Sequence, residues 1–184
     1  METLINNLLL FDRLTEQQVK LIRDITKDVH LQEGEYFAEP GDICSQLAFV
    51  AKGILRYNHY NRKAENITSG LIGEGDFVAG AAPSHLPALH SDYLQAITEC
   101  SLSVIDKRGM EELSSTVSNW DNMVRKISQK AIAEKRSRIL RPVDDDPEAA
   151  ASQYLEKFPN LAKHLSVDRM LLYIDGRFNE ESLK

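Results

Sequence analysis

The sequence predicts an α+β chain in which a small closed β structure stands between helices. Three observations carry this. Gly41, Gly53, Gly70, Gly73, Gly75 and Gly80 cut the stretch from Ala38 to Gly80 into short segments, among them Gln46–Val50 and Ile54–Tyr60, rich in strand-favouring residues. Pro40-Gly41-Asp42 and Glu74-Gly75-Asp76 are turn triplets, because proline presets φ and glycine accepts positive φ. On either side the apolar spacing changes to three and four, in Val19, Leu21, Ile22 and Ile25 before it and in Trp120, Val124, Ile127 and Ala131 after it.

Composition narrows the function classes. The chain has 184 residues, 42% hydrophobic and 27% charged, enough for one domain, or one and a small appendage, without a disulfide or metal staple. A net charge of −6 argues against broad electrostatic binding to nucleic acid. Cys44 and Cys100 are far apart, with no Cys-x-x-Cys or Cys/His cluster nearby, and are read as buried free thiols. The start of the chain has no basic region, and Leu8-Leu9-Leu10-Phe11 is too short to span a bilayer, so a soluble cytoplasmic protein is expected.

Taken in order, Leu4 to Leu10 reads as a short helix. Thr15-Glu16-Gln17-Gln18 matches a capping box opening a second helix that ends near Thr26. Strands follow from Asp28 to about Ile105, the last two being Tyr93–Thr98 and Leu102–Ile105. Between Phe77 and His90 the alternation breaks, so a turn of helix and a loop are expected there, not a strand. Ser118-Asn119-Trp120-Asp121 resembles a second capping box, and the helix it opens should reach about Leu140. Arg141-Pro142-Val143-Asp144-Asp145-Asp146-Pro147 is a linker, and Pro147 restarts a helix that Pro159 stops. Asn160–Leu165 and Val167–Ile174 are shorter helical pieces, and Asp175-Gly176 is a turn. The organisation expected is residues 1–117, 118–141 and 142–184. The stripe Trp120, Val124, Ile127, Ala131 is either packed on the chain's own core or a seam for a partner helix.

Pro40-Gly41-Asp42, Phe49-Val50-Ala51-Lys52-Gly53 and Gly75-Asp76-Phe77-Val78 together resemble the catabolite-activator (Crp/Fnr) family of bacterial transcription regulators. The resemblance implies a double-stranded β-helix (a jelly roll of the β-roll type) as sensor over 1–117. It implies dimerisation along the helix at 118–141, so Trp120, Val124, Ile127 and Ala131 would form the homodimer seam. For 142–184 it implies a small helix-turn-helix-like module, with Tyr154–Ala162 similar to the lead-in of Bacteroidetes-type members. The effector pocket would involve Phe77, Val78, Ala79, Gly80, Ala81, Ala82, His90 and Ser91. DNA contacts would come from Arg169, Arg177, Ser182 and Lys184.

The pattern also departs from the family. Gly80 stands where nucleotide-binding members carry a glutamate, and His90 stands where they carry an arginine, although Ser91 matches. A buried phosphate needs a cation or several amide donors, and no arginine lies between Arg62 and Arg108. A roll that does not bind cyclic AMP is therefore expected. It would either hold another effector, with His85 and His90 able to charge near neutral pH, or be collapsed and ligandless. At the C-terminal end Asp175-Gly176-Arg177-Phe178 lengthens the turn of the motif, and Glu180 and Glu181 would face phosphates unfavourably. The other functional class is a dimeric interaction module that does not bind DNA. His30, His59, His85, His90 and His164 are scattered, and no nucleophile-elbow spacing is present, so neither an enzyme nor a cofactor or metal is expected.

Overall fold

The computed structural model describes residues 1–78, 88–139 and 146–174. Two helices open the chain, α1 (Glu2–Leu8) and α2 (Glu16–Ile25). The Thr15 hydroxyl accepts from the Gln18 amide and the Gln18 side chain accepts from the Thr15 amide, so the capping box is complete. Nine strands follow among the described residues: β1 (Lys27–Leu31), β2 (Tyr36–Ala38), β3 (Ile43–Cys44), β4 (Leu47–Lys52), β5 (Ile54–Tyr60), β6 (Asn66–Gly73), β7 (Ala88–Leu89), β8 (Tyr93–Ala96) and β9 (Cys100–Ile105). Then come α3 (Lys107–Thr116), the long α4 (Trp120–Ser137), α5 (Pro147–Lys157), α6 (Pro159–Ala162) and α7 (Val167–Ile174).

The strands form antiparallel sheets in the orders β1-β9-β4, β2-β8-β5-β6 and β3-β7. The first two are the walls of the roll. Side chains alternate across a strand: Leu55 and Tyr57 of β5 join Val50, Ile72, Val78, Leu94 and Leu102 in the roll interior. Ile54, on the opposite face of β5, packs with Leu71, Ile97 and the helices α5–α7. The roll is thus covered on one outer face by the C-terminal helices. Gly53 makes the β4–β5 turn at φ +91°, and a Cβ there would lie 2.4 Å from the Glu99 carbonyl oxygen, so only glycine fits.

Several expectations change. No strand was expected between Phe77 and His90, yet Ala88–Leu89 forms β7 against β3, and Phe77 makes a single bridge to Phe49; pairing across the roll overrides a weak local pattern. Asn119 is the N-cap of α4 but makes no side-chain capping bond, so the second capping box does not form. Asp146 caps α5 through the Ala149 amide, with Pro147 in its first turn as expected. The stripe Trp120, Val124, Ile127 and Ala131 is buried to 3% exposure or less inside the chain itself, against Leu4, Ile5, Leu8, Ile22 and Phe77. As a partner-facing seam it is corrected: residues of α1, α2, α3 and β4 join the stripe in one apolar cluster and bury it within the chain. Cys100 is a buried free thiol, as the sequence suggested, and burial pushes it up in pKa; the Cys44 side chain lies outside the described residues.

Candidate functional site

The turn that enters the roll interior is tied to β4, to the end of α4 and to α6. Gly75 takes φ +90° with open space where a Cβ would sit, so the bend needs positive φ and not a close approach. Its backbone is strapped to β4: the Gly75 amide donates to Val50 O and the Val78 amide to Ala48 O, each at 2.9 Å. The Asp76 carboxylate accepts from the Gly73 amide at 2.8 Å, from the Asn160 amide group of α6 at 3.1 Å and from both terminal amino groups of Arg138. The side chains of Asp76 and Arg138 are each 7% exposed. Phe77 and Val78 then turn inward, Phe77 onto the Phe49 ring and Val78 into the interior cluster.

Beside this turn, α4 closes one side of the roll. The Lys135 ammonium lies 4.0 Å from the centre of the Tyr57 ring and 2.6 Å from the Asp92 carboxylate, a cation–π contact and an ion pair made by one group. Tyr57 is 2% exposed, and Leu55, Ile72 and Leu94 around it are no more exposed. His90 is partly buried and held through its backbone: its amide donates to Asp42 O at 2.9 Å and its carbonyl accepts from Gly41 at 3.0 Å. Burial pushes the His90 imidazole below its usual pKa, with Asp42 acting the other way. Burial thus works against a charge on His90, while the Asp42 and Asp92 carboxylates work for it. The cation next to it is Lys135, 45 residues further along, which no local motif could have pointed to. Ser91 is exposed, its hydroxyl donating to Asp92 at 3.2 Å. Ala79, Gly80, Ala81, Ala82 and His85 lie outside the described residues.

This architecture has known counterparts. Residues 28–116 match the cyclic nucleotide-binding domain. The fold is similar to the N-terminal domain of a transcriptional regulator from Streptomyces coelicolor A3(2) (TM-score 0.54, 14% identity, 67% of this chain and 86% of that one). It is also similar to the c-di-GMP responsive global regulator CLP of Xanthomonas campestris (TM-score 0.59, 16% identity, 83% and 76%). The catabolite activator protein of Thermus thermophilus gives a TM-score of 0.56 at 17% identity, over 69% and 59%. These likenesses show the fold. A comparison with curated proteins finds no match.

The roll carries the C-terminal helices on the outer face of its β2-β8-β5-β6 sheet. Ala151 and Leu155 of α5, Leu161 of α6, and Met170 and Tyr173 of α7 pack on Ile54, Leu71 and Ile97. Around this apolar centre are polar ties. Tyr154 donates to the Arg138 carbonyl at 3.0 Å, and burial pushes its phenol up in pKa. His164 and Lys163 both meet Glu74, at 3.0 and 3.3 Å. Arg169 pairs with Glu33 and donates to Ile97 O at 2.9 Å. Of the residues expected to contact DNA, Arg169 is thus engaged by the roll, while Arg177, Ser182 and Lys184 lie outside the described residues. Arg56, fully buried under these helices, hydrogen-bonds Gln95 and Thr68 and was not singled out from the sequence; a charged residue inside a strand-favouring run is its only local trace.

Away from this region a groove of about 360 Å³ lies along α1 and α2, lined by Leu9, Leu14, Val19 and charged neighbours. None of the pocket residues expected from the sequence lines it. Among the described residues there is no group of three or more His, Cys, Asp or Glu that could hold a metal ion, and no helix long and apolar enough to cross a membrane.

Proposed function

We propose that the chain is a Crp/Fnr-like transcriptional regulator whose roll senses an effector other than cyclic AMP and acts on the C-terminal helices. One observation carries the reading: the Gly75-Asp76-Phe77-Val78 turn touches the roll interior, the end of α4 and α6 at once. A sensor and an output need such a shared element, because a ligand shifts an equilibrium only by binding two states differently. The effector pocket is read at Phe77 to Ala82 with His90 and Ser91, and Lys135 supplies the cation at its edge. The catalytic class is set aside for lack of any nucleophile or metal constellation in the sequence.

The homodimer reading now uses the other face of α4. Ile132 is 42% exposed, and with Arg125, Gln129 and Arg136 it follows a four-three-four spacing on the side of α4 opposite the buried stripe. The regulator reading is tested by thermal shift with cyclic AMP, cyclic GMP and cyclic di-GMP, followed by binding to promoter fragments at low and moderate salt. No stabilisation by cyclic AMP together with salt-dependent DNA binding is expected. Absence of any DNA binding would sink the reading. The second reading, a dimeric interaction module that does not bind DNA, is favoured by one observation: Arg169 is already paired with Glu33 and Ile97 O.

A further inference from the structure

We propose that the docked position of α5–α7 is a latched, autoinhibited state, in which the roll and a nucleic-acid phosphate compete for Arg169 and Asp76 is the group that locks the latch. The competition rests on the regulator reading above; the latch itself does not.

The contact has an apolar centre and a polar perimeter. The centre joins Ile54, Leu71 and Ile97 to Leu155, Leu161 and Met170. Such packing is non-directional, so by itself it fixes no single register. Directional groups do that, and they converge on one carboxylate. Asp76 takes the Gly73 amide from its own turn, Arg138 from the end of α4 and Asn160 from α6. Asn160 also donates to Glu74 O at 3.1 Å, which ties α6 to both residues of the turn. Arg138 extends the arrangement outward: its carbonyl accepts from Tyr154 of α5, and its guanidinium lies 5.0 Å from the centre of the Phe158 ring. Neither Asp76 nor Arg138 can leave without a partner, because an unpaired buried charge is strongly unfavourable. A movement of the 73–78 turn therefore moves the helices or breaks the pair.

At the far rim the tie is of another kind. Arg169 and Glu33 are about one third exposed, so the pair is weak and screened by salt. It nonetheless occupies the cation of α7 that the family resemblance implies would face DNA. A phosphate could reach Arg169 only after α7 leaves Glu33 and the Ile97 carbonyl. Rim pairs of this strength with one buried lock describe a contact that opens as a unit, separately from the roll.

The test uses the full chain and backbone hydrogen exchange. Asp76→Asn keeps the size of the side chain and weakens the hold on Arg138. Exchange of the amides in α5–α7 should accelerate roughly tenfold or more, while β4, β5 and β9 keep their protection, as expected for a unit that opens below the global unfolding free energy. Glu33→Gln and Tyr154→Phe are milder variants that cut the rim and the Arg138 carbonyl tie, and they serve if Asp76→Asn does not fold. If α5–α7 and the roll strands lose protection together in all three, the helices are part of one cooperative core and the latch is refuted. Binding to a DNA duplex at low salt is the separate arm. Selective opening with tighter duplex binding supports both latch and competition. Selective opening with unchanged duplex binding keeps the latch, overturns the competition and counts against the regulator reading.

Discussion

Arg138, one residue past α4, donates both its terminal amino groups to the carboxylate of Asp76, 62 positions earlier in the roll. The pair is buried on both sides and holds together three parts of the chain that are far apart in sequence. Truncating one partner strands the other charge, so Arg138→Met should cost about 3–5 kcal/mol, read as the loss of hydrogen-exchange protection in α5–α7. The double variant Asp76→Leu with Arg138→Met should recover much of that loss. A double-mutant cycle with no coupling would reject the pair as a unit.

The two faces of α4 should respond in opposite ways. Ile127 is 1% exposed within the chain, so Ile127→Ala should destabilise the protomer by about 2–5 kcal/mol. Ile132 is 42% exposed, and Ile132→Asp should leave protomer stability within about 0.5 kcal/mol while lowering the mass measured by light scattering. A mass unchanged by Ile132→Asp would remove the outward face of α4 as the dimer contact.

Two glycines with nearly the same φ should tolerate alanine differently. At Gly53 the added Cβ would strike the Glu99 carbonyl oxygen and the Cys100 sulfur, whereas at Gly75 it would meet nothing within 4 Å. Gly75→Ala should therefore cost about 1–2 kcal/mol from backbone conformation alone, and Gly53→Ala distinctly more. Equal losses of Tm would contradict the close approach at the β4–β5 turn.

Glu134 supplies a pH test. Burial raises its carboxyl above the usual 4.5, reinforced by Asp76 and opposed by Lys130 and Arg138. A raised folded-state value means the folded chain binds this proton more tightly than the unfolded one. The charged form then costs stability at pH 7, and that cost fades as pH falls through the raised value toward 4.5. Glu134→Gln should raise Tm at pH 7, with the gain shrinking as pH falls toward 4.5. Glu74 has the opposite sign. Its hydrogen bond from His164 lowers its carboxyl below 4.5, so its contribution is present above 4.5 and lost as pH falls through the depressed value. A Tm gain for Glu134→Gln that stayed constant with pH would show that its burial carries no titration.

Much of the roll was legible because its determinants are local. The Thr15 capping box, the Asp146-Pro147 helix start and the positive φ at Gly41, Gly53 and Gly75 each follow from residues within a few positions. Glycines at turn offsets, with strand-favouring runs between them, were enough for an α+β chain with a closed β centre. The two-residue β7 was missed, since its partner β3 lies more than 40 residues away and the local pattern there is weak.

The sequence by itself also determined that one face of α4 is apolar and the other polar, because helical period and residue type are local properties. Which body covers the apolar face was a tertiary matter: residues of α1, α2, α3 and β4 share one apolar cluster with Trp120, Val124 and Ile127 and take the place assigned to a partner. The same holds for charge. Asp76, Lys135, Arg138 and Arg169 were each visible as ionisable residues, but their partners Arg138, Asp92, Asp76 and Glu33 are 43 to 136 positions away. Hydrophobic periodicity says which side of an element is buried. Only the packed fold, where burying a charge demands a paired one, decides against what.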